Sequence, residues 1–168
     1  MANTPKLRII PLGGVDEIGK NMTVFEYDRD IIVVDCGSMF PKDDMLGIDL
    51  VIPDASYLVA NKERVRGYVF THGHEDHIGA VPYVVSQVPA PLYGSRLTLA
   101  LIENKLREPH VSGVPLNTVE ARQVIQLGCF TVRFIKVNHS IPGAFALAIT
   151  CPIGTVVCSG DFKVDYTP

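Results

Sequence analysis

The chain has 168 residues, of which 47% are hydrophobic and 20% are charged. This length and apolar content are enough for a single domain with a buried core. The formal net charge of −3 excludes a broadly basic surface, so any contact with a nucleic acid would have to be local. No apolar run approaches the roughly 18 residues of a membrane span, and no secretory signal is apparent, so we expect no membrane partner.

The four cysteines lie in or beside apolar runs and form no Cys-x-x-Cys pair. They are Cys36, Cys129, Cys151 and Cys158. This pattern favours buried thiols in a reducing compartment over a disulfide framework. We therefore expect a cytoplasmic protein.

The first third of the chain is rich in short β-forming runs. Strands are predicted at residues 6–12, 22–27 and 31–35. A polar connection of hairpin size joins the second and third of these strands. Residues 37–53 are rich in Gly, Pro and Asp and predict a long irregular loop. A short helix over 55–62 follows, with Asp54 as its N-cap.

A further strand over residues 65–71 is predicted to deliver a histidine-rich segment at its C-terminal end. Helices are predicted over 77–88, with Pro82 near its start, and over 95–107, with Ser95 as the N-cap. The apolar face of the second helix would consist of Leu97, Leu101, Ile102 and Leu106. The other predictions are a brief strand at 91–94, a loop at 111–116 and antiparallel strands at 124–127, 130–137, 145–150 and 155–158. Strands thus cluster at both ends with helices between them, which indicates an α+β sandwich.

Three histidines and two acids crowd into six residues at the end of the strand over 65–71. They are His72, His74, Glu75, Asp76 and His77. Imidazole nitrogens and carboxylate oxygens are metal ligands, and a surface cluster of titrating histidines does not account for this density. His72 and His74 can bind one ion, while Asp76 and His77 face a second position. Two such ions would activate a bridging water and clamp both oxygens of a phosphoester displacement.

Three further residues each end an apolar run, so one edge of a sheet would collect them together with His72. We expect His139 and Asp161 to be metal ligands, with Asp161 as the bridge. Asp35 would orient a histidine or the metal-bound water, its alternative being a structural turn aspartate. His110, in a loop, is interpreted as a surface histidine.

The segment over residues 13–21 contains Gly13, Gly14 and Gly19 but lacks the order of a P-loop or of a dinucleotide-binding motif. It is therefore predicted to be a glycine-rich turn. A functional role, in which its backbone N–H groups approach a phosphate, stays open.

The motifs carry a resemblance to a known family. Residues 71–79 match the H-x-H-x-D-H motif of the metallo-β-lactamase superfamily, with Asp35, His139 and Asp161 at the positions of its other motifs. More narrowly, residues 11–22 together with 137–142 look like the ribonuclease J family, bacterial enzymes of the β-CASP branch. The resemblance implies an αββα sandwich and hydrolysis of RNA phosphodiesters in RNA maturation and decay. It implies both 5′ to 3′ exonuclease activity from a 5′-monophosphate end and endonuclease activity.

By the same resemblance two zinc ions are expected, with manganese as the alternative metal. One ion would be held by His72, His74 and His139. The other would be held by Asp76 and His77, with Asp161 bridging the two. Asp76 and Asp35 are the expected catalytic carboxylates, and the glycine-rich segment would lie beside the metal site.

Chains of that family are several times longer. Residues 1–168 would then be the N-terminal part of a metallo-β-lactamase domain, without the β-CASP and C-terminal domains and without a further zinc-ligating histidine. We expect the isolated chain to be a weak or inactive nuclease, because one ion would be under-coordinated. We also expect RNA as its substrate, self-association through uncovered sheet surface, and contacts with other RNA-decay proteins. The alternatives are another hydrolase of the superfamily, acting on a thioester or a lactam, and a non-catalytic metal-binding fragment.

Overall fold

The computed structural model describes residues 5–108 and 110–165. The strands in this part are β1 (Arg8–Gly13), β2 (Met22–Tyr27), β3 (Asp30–Val34), β4 (Val65–Val69), β5 (Leu92–Gly94), β6 (Leu116–Thr118), β7 (Val124–Leu127), β8 (Phe130–Lys136), β9 (Phe145–Cys151) and β10 (Gly154–Cys158). The α-helices are α1 (Ser56–Ala60), α2 (Glu75–Ile78), α3 (Val81–Val85) and α4 (Arg96–Arg107), and a 3-10 turn spans Lys62–Arg64.

The first sheet has six strands in the order β1-β2-β3-β4-β5-β6. Strands β1 to β3 pair antiparallel, whereas β3 to β6 pair in parallel. The apolar run of β3 is buried on both faces of the sheet, as its sequence indicates. Ile31 and Val33 face the helices, while Ile32 and Val34 face the second sheet. Because β3 and β4 are parallel, their C-terminal ends meet at one edge of this sheet.

The second sheet has four antiparallel strands in the order β10-β9-β8-β7. In β8, the alternate residues Phe130, Val132 and Phe134 are buried. They pack against residues of the first sheet such as Phe25 and Val69 to form an apolar core between the sheets. Strands β8 and β10 both pair antiparallel with β9, so their C-terminal ends also share an edge.

The helices cover the other face of the first sheet. Leu58, Val84 and Ile102, one from each of α1, α3 and α4, are fully buried in the core between the helices and this sheet. The described residues therefore form helix, sheet and sheet layers, which agrees with the predicted α+β sandwich. None of the helices among these residues is long and apolar enough to cross a membrane.

The predicted strands are confirmed with shifts of one or two residues, but β6 was not predicted, and it begins at the last residue of the loop predicted over 111–116. The single helix predicted over 77–88 is wrong, because two short helices, α2 and α3, meet around Gly79. Helix α2 begins at Glu75, and Pro82 lies in the first turn of α3, where its missing N–H costs no hydrogen bond.

The cap of helix α4 is confirmed, since the side chain of Ser95 accepts a hydrogen bond from the backbone N–H of Thr98. Its apolar face is partly wrong, because Leu97 is 40% exposed while Thr98 and Leu99 are buried. In α1, the N-cap position falls on Ala55 rather than on Asp54. The carboxylate of Asp54 still accepts the N–H of Ser56 at 2.8 Å, so it stabilises the same turn from one residue earlier.

Candidate metal centre

The candidate site lies where four strand ends converge. Asp35 follows β3 and His72 follows β4, while His139 and Asp161 come shortly after β8 and β10. A backbone hydrogen bond of 2.9 Å from the N–H of Phe145 to the carbonyl oxygen of Thr71 joins the two sheets at this edge. Residues that are distant in the chain therefore meet at this edge, because β3 is parallel to β4 and because β8 and β10 both pair antiparallel with β9.

The buried carboxylate of Asp35 accepts three hydrogen bonds. Its donors are the backbone N–H of Thr71, the hydroxyl of Thr71 and Nδ1 of His77, each at 2.8 Å. An ionised carboxylate can only accept, so the His77 proton lies on Nδ1. In the neutral imidazole this leaves the lone pair on Nε2, which lies 3.5 Å from Asp76 Oδ2 and 3.6 Å from Asp161 Oδ1.

Opposing effects act on the pKa of His77. Burial disfavours the imidazolium form, but the hydrogen bond and negative charge of Asp35 favour it, as do the charges of Asp76 and Asp161. The acidic groups outweigh burial, so the pKa of His77 is raised from its usual value in the metal-free protein. Three carboxylates around one imidazole are the environment that a cation would stabilise.

Three imidazoles converge beside this group. Nδ1 of His74 lies 3.0 Å from Nε2 of His72 and 3.1 Å from Nε2 of His139. Burial, followed by repulsion from the neighbouring histidines, lowers the pKa of His72 to about 3. His72 is therefore neutral at pH 7, as a metal-binding imidazole has to be.

Asp161 stands between the two groups of residues. Its side chain is 49% exposed, with Oδ1 toward His77 and Oδ2 at 3.9 Å from Nε2 of His139. Two sets of three residues each bring their ligand atoms within 4.8 Å of one another. The first set is His72, His74 and His139, and the second is His72, His77 and Asp161. A set of imidazole nitrogens and carboxylate oxygens without thiolate suits zinc or manganese, so the residues present fit the metal ions that the motif implies.

Other residues singled out in the sequence lie outside this centre. His110 is exposed in the turn after α4. Glu75 points away from the imidazoles, and its Oε2 pairs with Nζ of Lys105 on α4 at 2.6 Å. The glycine-rich segment borders a groove of about 670 Å³ beside Asp76, whose lining includes Ile18 and Phe40.

Sequence reasoning missed Asn21. Its side-chain N–H group donates to Oδ2 of Asp76 at 3.2 Å and lies 3.2 Å from Nε2 of His77. The sequence feature that could have indicated Asn21 was its position at the end of the glycine-rich segment. Its contacts could not be predicted from this position, because its partners are 55 and 56 residues away in the chain.

The chain belongs to the metallo-β-lactamase superfamily, whose family model matches residues 15–165. It is similar to ribonuclease J of Synechocystis sp., with 49% identity over 168 residues that cover 98% of this chain and 26% of that protein. It is also similar to ribonuclease J2 of Bacillus subtilis, with 46% identity over 167 residues, 99% of this chain and 30% of that protein. These identities confirm the resemblance seen in the motifs, and the chain spans less than a third of the length of either relative.

Solved structures support the fold. A protein of unknown function from Enterococcus faecalis V583 superposes with a TM-score of 0.72 at 19% identity, over 94% of this chain and 44% of that chain. The metallo-β-lactamase fold protein YhfI from Bacillus subtilis gives a TM-score of 0.64 at 18% identity, over 98% of this chain and 65% of that chain. At these identities the likeness concerns the fold alone, and it confirms the predicted fold class.

Proposed function

We propose that the chain carries most of the two-ion catalytic centre of a metal-dependent ribonuclease that hydrolyses RNA phosphodiesters. The observation that carries this proposal is the pair of ligand sets that share His72, with the carboxylate of Asp161 facing both His77 and His139. The similarity to ribonucleases J and J2 supports RNA as the substrate.

In this proposal one ion is held by His72, His74 and His139. Asp76 and His77 would hold the second ion, and Asp161 would be a ligand of both. Such ions would supply an activated water near neutral pH and neutralise charge on the phosphodiester. Zinc is the expected metal, with manganese as the alternative.

The side chains of the protein prepare this centre. Asp35 keeps the proton of His77 on Nδ1, so that Nε2 is free to bind an ion. Asp76 lies between His77 and the groove next to the glycine-rich segment, where its carboxylate can accept a proton during hydrolysis. The same groove exposes the ring of Phe40, on which an RNA base could stack. It also includes Lys42, whose ammonium group could pair with a phosphate.

We propose further that these residues belong to a longer protein, since the chain spans less than a third of the relatives it matches. Residues 1–168 would be the N-terminal portion of its metallo-β-lactamase domain, and the activity would be 5′ to 3′ exonucleolytic and endonucleolytic, in RNA maturation and decay. Four free thiols, Cys36, Cys129, Cys151 and Cys158, support a cytoplasmic, reducing location. Self-association and contacts with other RNA-decay proteins complete the proposed partners.

The function is tested by metal analysis combined with substrate choice. Mass spectrometry of the protein should detect bound zinc or manganese that a chelator removes. The metal-loaded chain should hydrolyse a short 5′-phosphorylated RNA slowly and leave a thioester and a lactam intact. His74→Ala should reduce the RNA hydrolysis to background, because it removes a ligand of the first ion.

His110→Ala is the matched control, since it removes an exposed histidine outside the centre. It should leave both metal content and hydrolysis unchanged. Turnover of the thioester or the lactam without turnover of RNA would contradict the proposed substrate. Rapid 5′ to 3′ degradation of RNA by the 168-residue chain would contradict the expectation that the second ion is under-coordinated in this chain.

A further inference from the structure

The glycine-rich segment folds back on itself and ends at Asn21. The backbone N–H of Gly14 donates to Oε1 of Glu17 at 3.2 Å, and the same oxygen lies 3.2 Å from Nζ of Lys20. Gly14 has a φ of +83°, and a Cβ at this position would lie 2.7 Å from Oδ1 of Asn21. The absence of a side chain at Gly14 thus makes room for the amide oxygen of Asn21, and the amide nitrogen points the other way.

Asn21 is fixed against helix α2 by its backbone as well as by its side chain. Its N–H donates to the carbonyl oxygen of Asp76 at 3.0 Å, and its own carbonyl oxygen accepts from Gly37 at 2.9 Å. Nδ2 then donates to Oδ2 of Asp76 and lies beside Nε2 of His77. One amide group therefore contacts two proposed ligands of the second ion.

The position of Nε2 of His77 decides what this amide does when an ion binds. Nδ1 faces Asp35 at 2.8 Å, so Nε2 is the ring nitrogen left for an ion, and it lies 3.2 Å from Nδ2 of Asn21. An ion at Nε2 would use the lone pair of that nitrogen, so the amide could not donate to it and would keep its contacts with the carbonyl oxygen and Oδ2 of Asp76, at 3.1 and 3.2 Å.

We propose that Asn21 is a positioning residue, which holds the carboxylate of Asp76 beside Nε2 of His77 and thereby sets the affinity of the second ion. Asn21 does not itself coordinate the ion. This role gives the glycine-rich segment a function that requires no phosphate. It depends on the two-ion centre of the proposed function but not on the identity of the substrate.

The role is tested by removing metal from the protein with a chelator and then titrating it with Zn²⁺ in competition with a chromophoric chelator. Asn21→Ala should weaken binding of the second ion by about 10- to 100-fold, the usual effect of removing a partner of a metal ligand, and leave the first ion unchanged. Asn21→Leu keeps the branched shape of the side chain without its donor and should show the same loss. Asn104→Ala, at an exposed asparagine on α4, is the matched control and should bind both ions as the natural chain does.

Circular dichroism and thermal melts establish that each variant is folded. An independent readout needs no variant, because the side-chain N–H resonances of Asn21 should shift when the second equivalent of Zn²⁺ is added. Unchanged affinity for the second ion in both variants, or equal weakening of both ions, would overturn the positioning role, as would an unshifted Asn21 amide. Retention of affinity by Asn21→Leu alone would overturn it in favour of simple packing.

The failure of the proposed function gives a different result. If the natural chain takes up one equivalent of Zn²⁺ only, the two-ion centre itself is wrong, and the role of Asn21 is overturned with it. If the natural chain takes up two ions and the variants bind them equally well, only the role of Asn21 is overturned.

Discussion

Two histidines of the centre respond to pH in opposite directions. His72 has a pKa of about 3 in the folded, metal-free protein, whereas an unfolded chain protonates its histidines near 6.5. Between these values the unfolded state binds a proton that the folded state does not, so stability falls as the pH drops. His77 has a raised pKa, so its stabilising contribution is present below its unfolded pKa and is lost as the pH rises through its folded pKa.

The larger shift belongs to His72, so acidification should destabilise the metal-free protein. Between pH 6.5 and 5 the loss from His72 amounts to at most about 2 kcal/mol, because each unit of pKa shift corresponds to about 1.4 kcal/mol. Thermal melts of the chelated protein across this range should show a falling melting temperature. His72→Gln removes the titrating group, so the melting temperature of this variant should depend less on pH. An equally steep fall in this variant would assign the effect to other groups.

The sequence indicates most residues of the centre because they share local signals. His72, His74 and His77 are close neighbours in the chain, and His139 and Asp161 follow apolar runs. Asn21 carries neither signal, because it is a common polar residue whose partners lie more than 50 residues away. Residue types reveal candidate ligands, whereas a group that holds a ligand in place is visible only once the chain is folded.

At the scale of elements, helix α2 is fixed by hydrogen bonds to the segment that follows β3. The N–H of Cys36 donates to the carbonyl oxygen of His77 at 2.8 Å, and the N–H of Ser38 donates to that of Glu75 at 3.1 Å. The N–H of Ala80 in turn donates to the carbonyl oxygen of Cys36 at 2.9 Å. These bonds hold the turn that carries Asp76 and His77 against the sheet edge.

The same bonds explain why the helix prediction over 77–88 failed. Periodicity describes only which face of a segment is apolar, and a continuous helix satisfies the pattern of residues 77–88 as well as two short helices do. The two helices meet where the chain packs against Cys36 and Ser38, about 40 positions earlier, and a Cβ at Gly79 would overlap Oγ of Ser38. Strand β8 was predicted well because its alternation of buried and exposed residues is a local property of the strand.

Gly37 is the position at which this packing is tightest. A Cβ there would overlap the carbonyl oxygen of Asp76 and the N–H of His77, both of which belong to backbone that cannot move without shifting α2. Gly37→Ala should therefore cost about 3 kcal/mol or more of stability, at the upper end for overpacking, and weaken Zn²⁺ binding. Chemical denaturation and a Zn²⁺ titration measure the two effects.

Gly113→Ala is the control for this substitution. A Cβ at Gly113 meets no atom within 4 Å, although its φ of +79° still imposes backbone strain. The control should cost about 1–2 kcal/mol and leave Zn²⁺ binding intact. Equal losses in both variants would contradict the overlap with α2 as the dominant cost at Gly37, whose φ is not positive.

At the scale of the whole molecule, the two sheets differ in what covers them. The first sheet lies between the helices and the second sheet, so both of its faces are packed. In the second sheet the register aligns Val124, Arg133, Ala148 and Val157 in one row across the strands. Val124 is 44% exposed and Val157 is 64% exposed. Ile135, which lies in the same strand as Arg133, is 39% exposed. The outer face of this sheet therefore presents apolar side chains to solvent.

Exposed apolar side chains on the outer face of a sheet favour association with a second copy, because pairing removes them from water. We expect the 168-residue chain to self-associate, and light scattering after size-exclusion chromatography should show a mass that rises with concentration. Replacing both Val124 and Val157 by Lys should weaken this association several-fold, since each copy would then present added positive charge at the row. Leu46→Lys changes a 90% exposed residue outside the second sheet and should leave the mass unchanged. A natural chain that stays monomeric at every concentration, or a double variant that associates as well as the natural chain, would show that this face does not mediate association.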